Sequence, residues 1–307
     1  MAGIVVGVDG SRDADAALRW AVGEAWLRGD RLDTVLAWAP DDCPREVRER
    51  AYAPGSHSVE GAALRVLQDS VARARDPRRP VPVTERAVYA DAAEALLSAS
   101  STADLLVVGL RGSRRLHRYL VGSVTAACLH EATRPVVVVR AGTASAADAA
   151  SAADAASAAD TDSAATAPVV VGVDGSATSL NALRWAAAEA VLHAAPLHVV
   201  HAWLPTLGLH LGQHADTDRE AIERTVRQAL DDHVRAGLAE VPDIDVDIRL
   251  ALGGSATTLL TAAAAARLLV LGSRGAGGFT GLLLGATAHQ CVHHAHCPVV
   301  VVPDSAR

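Results

Sequence analysis

The 307-residue sequence contains no lysine; all 28 of its basic side chains are arginines. That absence removes whole classes of chemistry. A phosphate-loop lysine, a lysine Schiff base and the strand lysine of protein kinases are all impossible here. Any phosphate must instead be held by backbone N–H groups, arginine, hydroxyls or a metal ion. Methionine and phenylalanine occur once each, while alanine, arginine, glycine and valine abound, a bias that fits a GC-rich genome. The chemical exclusion stands whatever its origin.

Cysteine is scarce too. Cys43, Cys128, Cys291 and Cys297 are too few, in a chain of this size, for a disulfide framework. No apolar run is long enough to span a bilayer. A strand-like run begins at Ile4, directly after Met1-Ala2-Gly3, so the expectation is an intracellular, cytoplasmic protein with no membrane partner. A net charge of −7 argues against a nucleic-acid-binding surface.

What the sequence does contain is one domain written twice. Val6-Gly7-Val8-Asp9-Gly10-Ser11 returns as Val171-Gly172-Val173-Asp174-Gly175-Ser176, 165 residues later. Ala17-Leu18-Arg19-Trp20-Ala21 returns as Ala182-Leu183-Arg184-Trp185-Ala186 at the same offset, and Pro135 to Val139 as Pro298 to Val302. Two full domains are therefore expected, at 1–140 and 168–307; solenoid units are much shorter. Residues 141–167, with Ser-Ala-Ala-Asp-Ala-Ala starting at Ser145, Ser151 and Ser157, have no large apolar residue and read as a linker.

Within each copy, short Val/Leu runs alternate with longer amphipathic stretches. In the second copy the runs Val169–Asp174, Leu197–Trp203, Val246–Ala251, Leu268–Leu271 and Pro298–Val302 read as strands. Thr178–His193, 216–238, Ala256–Ala266 and 285–293 read as helices. The first copy is expected to repeat this order. The pattern specifies an α/β fold: in each copy a five-stranded parallel sheet with helices on both faces. In such sheets ligands bind beyond the carboxyl ends of the strands, at the switch point.

Both copies place a glycine loop there. Gly109-Leu110-Arg111-Gly112, nine residues, then Gly122-Ser123 is matched by Gly272-Ser273-Arg274-Gly275, nine residues, then Gly285-Ala286. Each loop runs from a strand to a helix start, where backbone N–H groups and the positive dipole end can hold phosphate.

These three ordered signals, each present twice, resemble the universal stress protein family in its tandem form, over both halves and excluding only the linker. The resemblance implies Rossmann-like domains of the adenine-nucleotide α-hydrolase-like kind. It also implies an adenine-nucleotide ligand, ATP with Mg²⁺, and cyclic AMP as a rival. By position, it implies that Asp9 and Asp174 lie near ribose and metal, and that Ala37 and Ala202 pack on adenine. It places Val108 and Leu271 on the adenine side of the loop. It puts Gly109, Arg111, Gly112, Gly122, Ser123 and Val124 around the first phosphate site, and Gly272, Arg274, Gly275, Gly285, Ala286 and Thr287 around the second. Last strands pair between subunits in the family, so the two halves are expected to pair through Val136–Val139 and Val299–Val302 as an intramolecular pseudo-dimer, with a homodimer also allowed.

The two loops differ. The second lacks the hydroxyl of Ser123, having Ala286 instead; Thr287 follows but is expected to point elsewhere on the helix. The first carries Arg111, Arg114, Arg115 and Arg118, either a triphosphate clamp or a solvated basic loop. His289, His293, His294, His296, Cys291 and Cys297 have ligand-like spacing, but a helix end with surface imidazoles is the preferred reading over zinc. Trp20, Trp38, Trp185 and Trp203 read as packing residues, with adenine stacking open to Trp38 and Trp203. Ser123 and Thr125 are minor candidates for accepting a phosphoryl group. The functional expectation is a nucleotide-dependent regulator of stress or dormancy. A slow ATPase or phosphotransferase and an ATP-independent scaffold are its competitors.

Overall fold

The computed structural model describes residues 3–40, 42–53, 58–112, 121–143, 167–204, 215–241, 244–276 and 284–304. The arginine run at 114–118, the glycine loop at 277–281 and most of the linker lie outside the described residues.

The first half runs β1 (Ile4–Gly7), α1 (Arg12–Arg28), β2 (Leu32–Ala37), α2 (Arg45–Ala51), α3 (Val59–Ala74), β3 (Val83–Val88), α4 (Ala92–Ser100), β4 (Leu105–Gly109), α5 (Ser123–Glu131) and β5 (Val136–Val139). The second runs β6 (Val169–Gly172), α6 (Ala177–Leu192), β7 (Leu197–Trp203), α7 (Ala215–Leu238), β8 (Val246–Leu252), α8 (Ser255–Ala262), β9 (Leu268–Gly272), α9 (Ala286–His294) and β10 (Val299–Val302). The expected repetition fails at one place. The first half has two helices between its second and third strands, where the described part of the second half has the single α7.

The Val/Leu runs form strands because both their faces are covered. Ile4 and Val6 enter an apolar layer on one side of the sheet and Val5 enters the other. On one face lie α1, α3, α6 and α7; on the opposite face lie α4, α5, α8 and α9. Each layer contains residues of both halves, so the core does not stop at the boundary between the copies.

A single ten-stranded sheet results, in the order β3-β2-β1-β4-β5-β10-β9-β6-β7-β8. Pairing is parallel within each half. At the centre β5 and β10 pair antiparallel, with Val138 opposite Val299, Val137 opposite Val300 and Val136 opposite Val301. The expected pairing of the last strands is thus observed, and it satisfies two all-valine edges that would otherwise be open for association. In each half the chain order reverses between the first and fourth strands, β1/β4 and β6/β9, which opens a crevice at their carboxyl ends.

The tryptophans belong mainly to the interior. Trp20 is buried in the layer of α1 and α3, and Trp38 and Trp185 pack against that layer. Trp38 also meets Tyr89 edge-on at 4.9 Å between ring centres.

Candidate functional site

Each crevice is built from a strand end, an Asp-Gly-Ser turn and a glycine loop. β1 and β6 stop at Gly7 and Gly172, so Asp9 and Asp174 sit two residues beyond the strands rather than ending them. Gly10 and Gly175 follow at φ 81° and 83°, where a side chain would be strained. The turn aims each aspartate back into the crevice. Ser11 N–H donates to Asp9 Oδ1 at 2.9 Å, and Ser11 Oγ then caps α1 by accepting from Ala14 N–H at 3.2 Å. Ser176 does the same for Asp174 and α6, its N–H and its Oγ reaching Asp174 Oδ1 at 3.0 and 2.6 Å.

The loop glycines are required by close approach. A Cβ on Gly109 would lie 2.7 Å from the carbonyl carbon of Asp13, and one on Gly112 would lie 2.8 Å from Asp9 Oδ2. In the second half a Cβ on Gly275 would lie 2.5 Å from Asp174 Oδ2. That oxygen accepts from Ala276 N–H at 2.7 Å. Burial alone would raise the Asp174 pKa, but the hydrogen bonds from Ser176, Ala276 and Ser179 outweigh it and hold the carboxyl below the usual range.

Gly122 and Gly285 occupy the cap positions of α5 and α9, where neither helix has a side-chain cap bond. Their own N–H groups are tied back to Leu110 O at 3.0 Å and Ser273 O at 2.8 Å. The helix N-termini therefore present backbone N–H donors and their positive dipole ends at the crevice.

The walls bring together the residues singled out in the sequence. Asp9, Ala37, Val108, Gly109, Arg111, Gly112, Gly122, Ser123 and Val124 line a cavity of about 130 Å³. Asp174, Ala202, Leu271, Gly272, Arg274, Gly275, Gly285, Ala286 and Thr287 line one of about 490 Å³. Thr287 thus stands in the wall beside Ala286, against the expectation that the helix turns it elsewhere. Neither Trp38 nor Trp203 lines these two cavities, because side chains alternate along a strand and Ala37 and Ala202 take the crevice-facing positions.

Four residues also shape the cradles through contacts between separate elements. Asp13 accepts from Arg111 N–H at 3.1 Å and from Ala141 N–H at 2.8 Å, tying the loop to the end of β5. Thr178 takes its place in the second half, its Cγ2 2.9 Å from where a Cβ on Gly272 would sit. Thr125 donates its hydroxyl to Gly109 O at 2.7 Å and so braces the loop. Arg274 is drawn to Asp304, 2.6 Å away. No local sequence signal marks these contacts, since each joins residues from separate elements.

Among the described residues, the histidines and cysteines near α9 do not bring three ligand atoms together. Cys291 and Cys297 are buried, which pushes both thiols up to about 12, while His289 and His293 stack at 4.6 Å between ring centres.

Fold and crevices together define a tandem α/β protein with one glycine-lined cradle per half. The family model described as "Universal stress protein family" matches residues 2–140 and again 166–303, and the chain belongs to that family. It is 32% identical over 312 residues to a universal stress protein of Mycolicibacterium smegmatis, covering 98% of this chain and 96% of the relative. A universal stress protein of Mycobacterium tuberculosis is 31% identical over 310 residues, covering 99% and 97%. Among solved structures, a universal stress protein from Archaeoglobus fulgidus shares the fold, with a TM-score of 0.63 at 18% identity and 98% of each chain covered. Among the described residues, no helix is long and apolar enough to cross a membrane.

Proposed function

We propose that both cradles bind an adenine nucleotide, ATP with Mg²⁺, and that the protein is a nucleotide-dependent regulator. One observation carries this reading. Twice in the chain, an apolar strand floor (Ala37 with Val108, Ala202 with Leu271), a carboxylate and a glycine-capped helix N-terminus line one crevice. The floor suits a flat base, the carboxylate a ribose hydroxyl, and the helix start a phosphate. Without lysine, this is also the means of phosphate binding left to the chain, apart from arginine, hydroxyls and a metal ion.

The first cradle offers the ligand two carboxylates, Asp9 and Asp42, and the second one, Asp174; Asp9 and Asp174 already accept hydrogen bonds from the chain. That is too few for a closed magnesium cage. It fits an ion that arrives with the nucleotide and keeps phosphate oxygens and waters as its other ligands. Binding would shift the population of the surface around the cradle, which is the regulatory step.

The test is a calorimetric titration of nucleotide-free protein with Mg-ATP. Two sites per chain are expected, the second weaker by about tenfold for want of the Ser123 hydroxyl. Saturation at a hundredfold excess over Kd should stabilise each occupied site by about 2.7 kcal/mol. No heat and no thermal shift would reject the reading.

A further inference from the structure

Glu24 and Glu189 are the same residue of the two sequence copies, 165 positions apart, as are Arg28 and His193. They lie at the ends of α1 and α6, the helices whose opposite ends form the cradles. The strand order is symmetric about the β5–β10 join, and these two helix ends meet there, on one face of the sheet. The duplication has therefore placed a carboxyl group against its own copy, and both are almost fully buried at 2% exposure.

Five ionisable groups face one another at this seam: Glu24 and Arg28 from α1, Glu189 and His193 from α6, and Arg267 from the approach to β9. Arg28 Nε donates to Glu24 Oε1 at 2.7 Å, and another nitrogen of the same guanidinium pairs with Glu189 Oε1. Arg267 Nη1 lies 3.0 Å from His193 Nδ1. A guanidinium only donates, so Nδ1 must accept, and the ring hydrogen is on Nε2. That hydrogen goes to Glu24 Oε2, 3.1 Å away, rather than to Glu189 Oε2 at 3.7 Å. Glu24 is therefore satisfied as an anion on both oxygens. Glu189 Oε2 is buried with no hydrogen-bond partner, an arrangement that disfavours a charge on that carboxyl.

We propose that Glu24 and Glu189 carry one proton in total at neutral pH, resident mainly on Glu189, and that its loss in alkaline solution leaves two buried like charges at the seam and loosens the join of the two halves. The electrostatics run the same way. Burial first, then the charge of Glu24, push Glu189 up to about 8. For Glu24 burial also raises the pKa, but His193 and Arg28 outweigh it and bring the group down to about 2. Two like groups driven apart in this way behave as a pair that titrates in two separated steps.

The consequence for stability has a definite sign. The folded chain keeps a proton on Glu189 that the unfolded chain releases near 4.5. Between about pH 5 and pH 8 the folded-to-unfolded ratio should therefore fall with rising pH, by up to about tenfold per unit from this site, and then level off. Below 4.5 the effect reverses. There Glu24 is the group whose charge must be surrendered, and stability is lost towards pH 2.

The experiment uses the full-length chain, with Glu189→Gln as a copy of the protonated form. Urea unfolding at a series of pH values should show the decline between pH 5 and 8 in the wild type, and a flatter profile in Glu189→Gln. Infrared spectra should show a protonated carboxylic acid carbonyl band in the wild type at neutral pH. That band should bleach above pH 8 and be missing from Glu189→Gln. Glu24→Gln leaves Glu189 alone to ionise against Arg28, so it too should lose both the band and the decline; it serves as the test if Glu189→Gln does not fold. A wild type without the band at neutral pH, or a pH slope unchanged in both variants, would overturn the proposal.

Discussion

Asp304 follows the last strand and holds Arg274 at 2.6 Å, on the wall of the second cradle. Its counterpart in the first half is Ala141, which has no side chain able to do this. Any phosphate entering the second cradle must therefore compete with a carboxylate for that arginine. Replacing Asp304 with Ala should tighten ATP at the second site several-fold, because a half-buried ion pair worth about 1 kcal/mol is exchanged for a charge-assisted contact to phosphate. AMP should gain less, and calorimetry with both nucleotides checks the ranking. A second expectation at this scale concerns thiols. Burial pushes Cys128, Cys291 and Cys297 up to about 12. Little thiolate exists at pH 8, and a thiol reagent should label these three slowly in the native chain and at once in denaturant.

At the scale of elements, the duplicated first helices end differently. α1 stops at Gly29 in the left-handed conformation, φ 68°, its N–H turned back to Trp26 O at 3.2 Å. In the second half the corresponding residue is Ala194, which adopts φ 48° despite its Cβ. Glycine avoids the left-handed penalty that alanine meets there. Ala194→Gly should therefore stabilise the protein by about 0.5–1 kcal/mol, read as a higher urea midpoint at unchanged slope. The crevice-facing positions of the strands were legible because side chains alternate along them. Trp38 and Trp203 show the other side of that rule: next to Ala37 and Ala202 in sequence, they are turned away from the crevice.

At the scale of the whole molecule, the antiparallel join and the two apolar layers that cross it make the halves parts of one core. The expectation is a single calorimetric unfolding transition whose calorimetric and van't Hoff enthalpies agree. Two separated transitions would mean that the halves unfold independently. Mg-ATP should move that one transition upward even when it occupies a single cradle.

The duplication, the alternation of strand and helix, and the glycine loops of both cradles were determined by the sequence itself, because they are written in local period and spacing. So was the exclusion of lysine chemistry. The brace of Thr125 on Gly109, the capture of Arg274 by Asp304 and the meeting of Glu24 with Glu189 were decided only by the tertiary structure. Each depends on where separate elements come to rest, and for the two carboxyls that is set by an antiparallel register between strands more than 150 residues apart. A residue repeated at a fixed interval shows that a domain was copied. Whether the copies face each other, and what their charges then require, follows from the packing of the sheet.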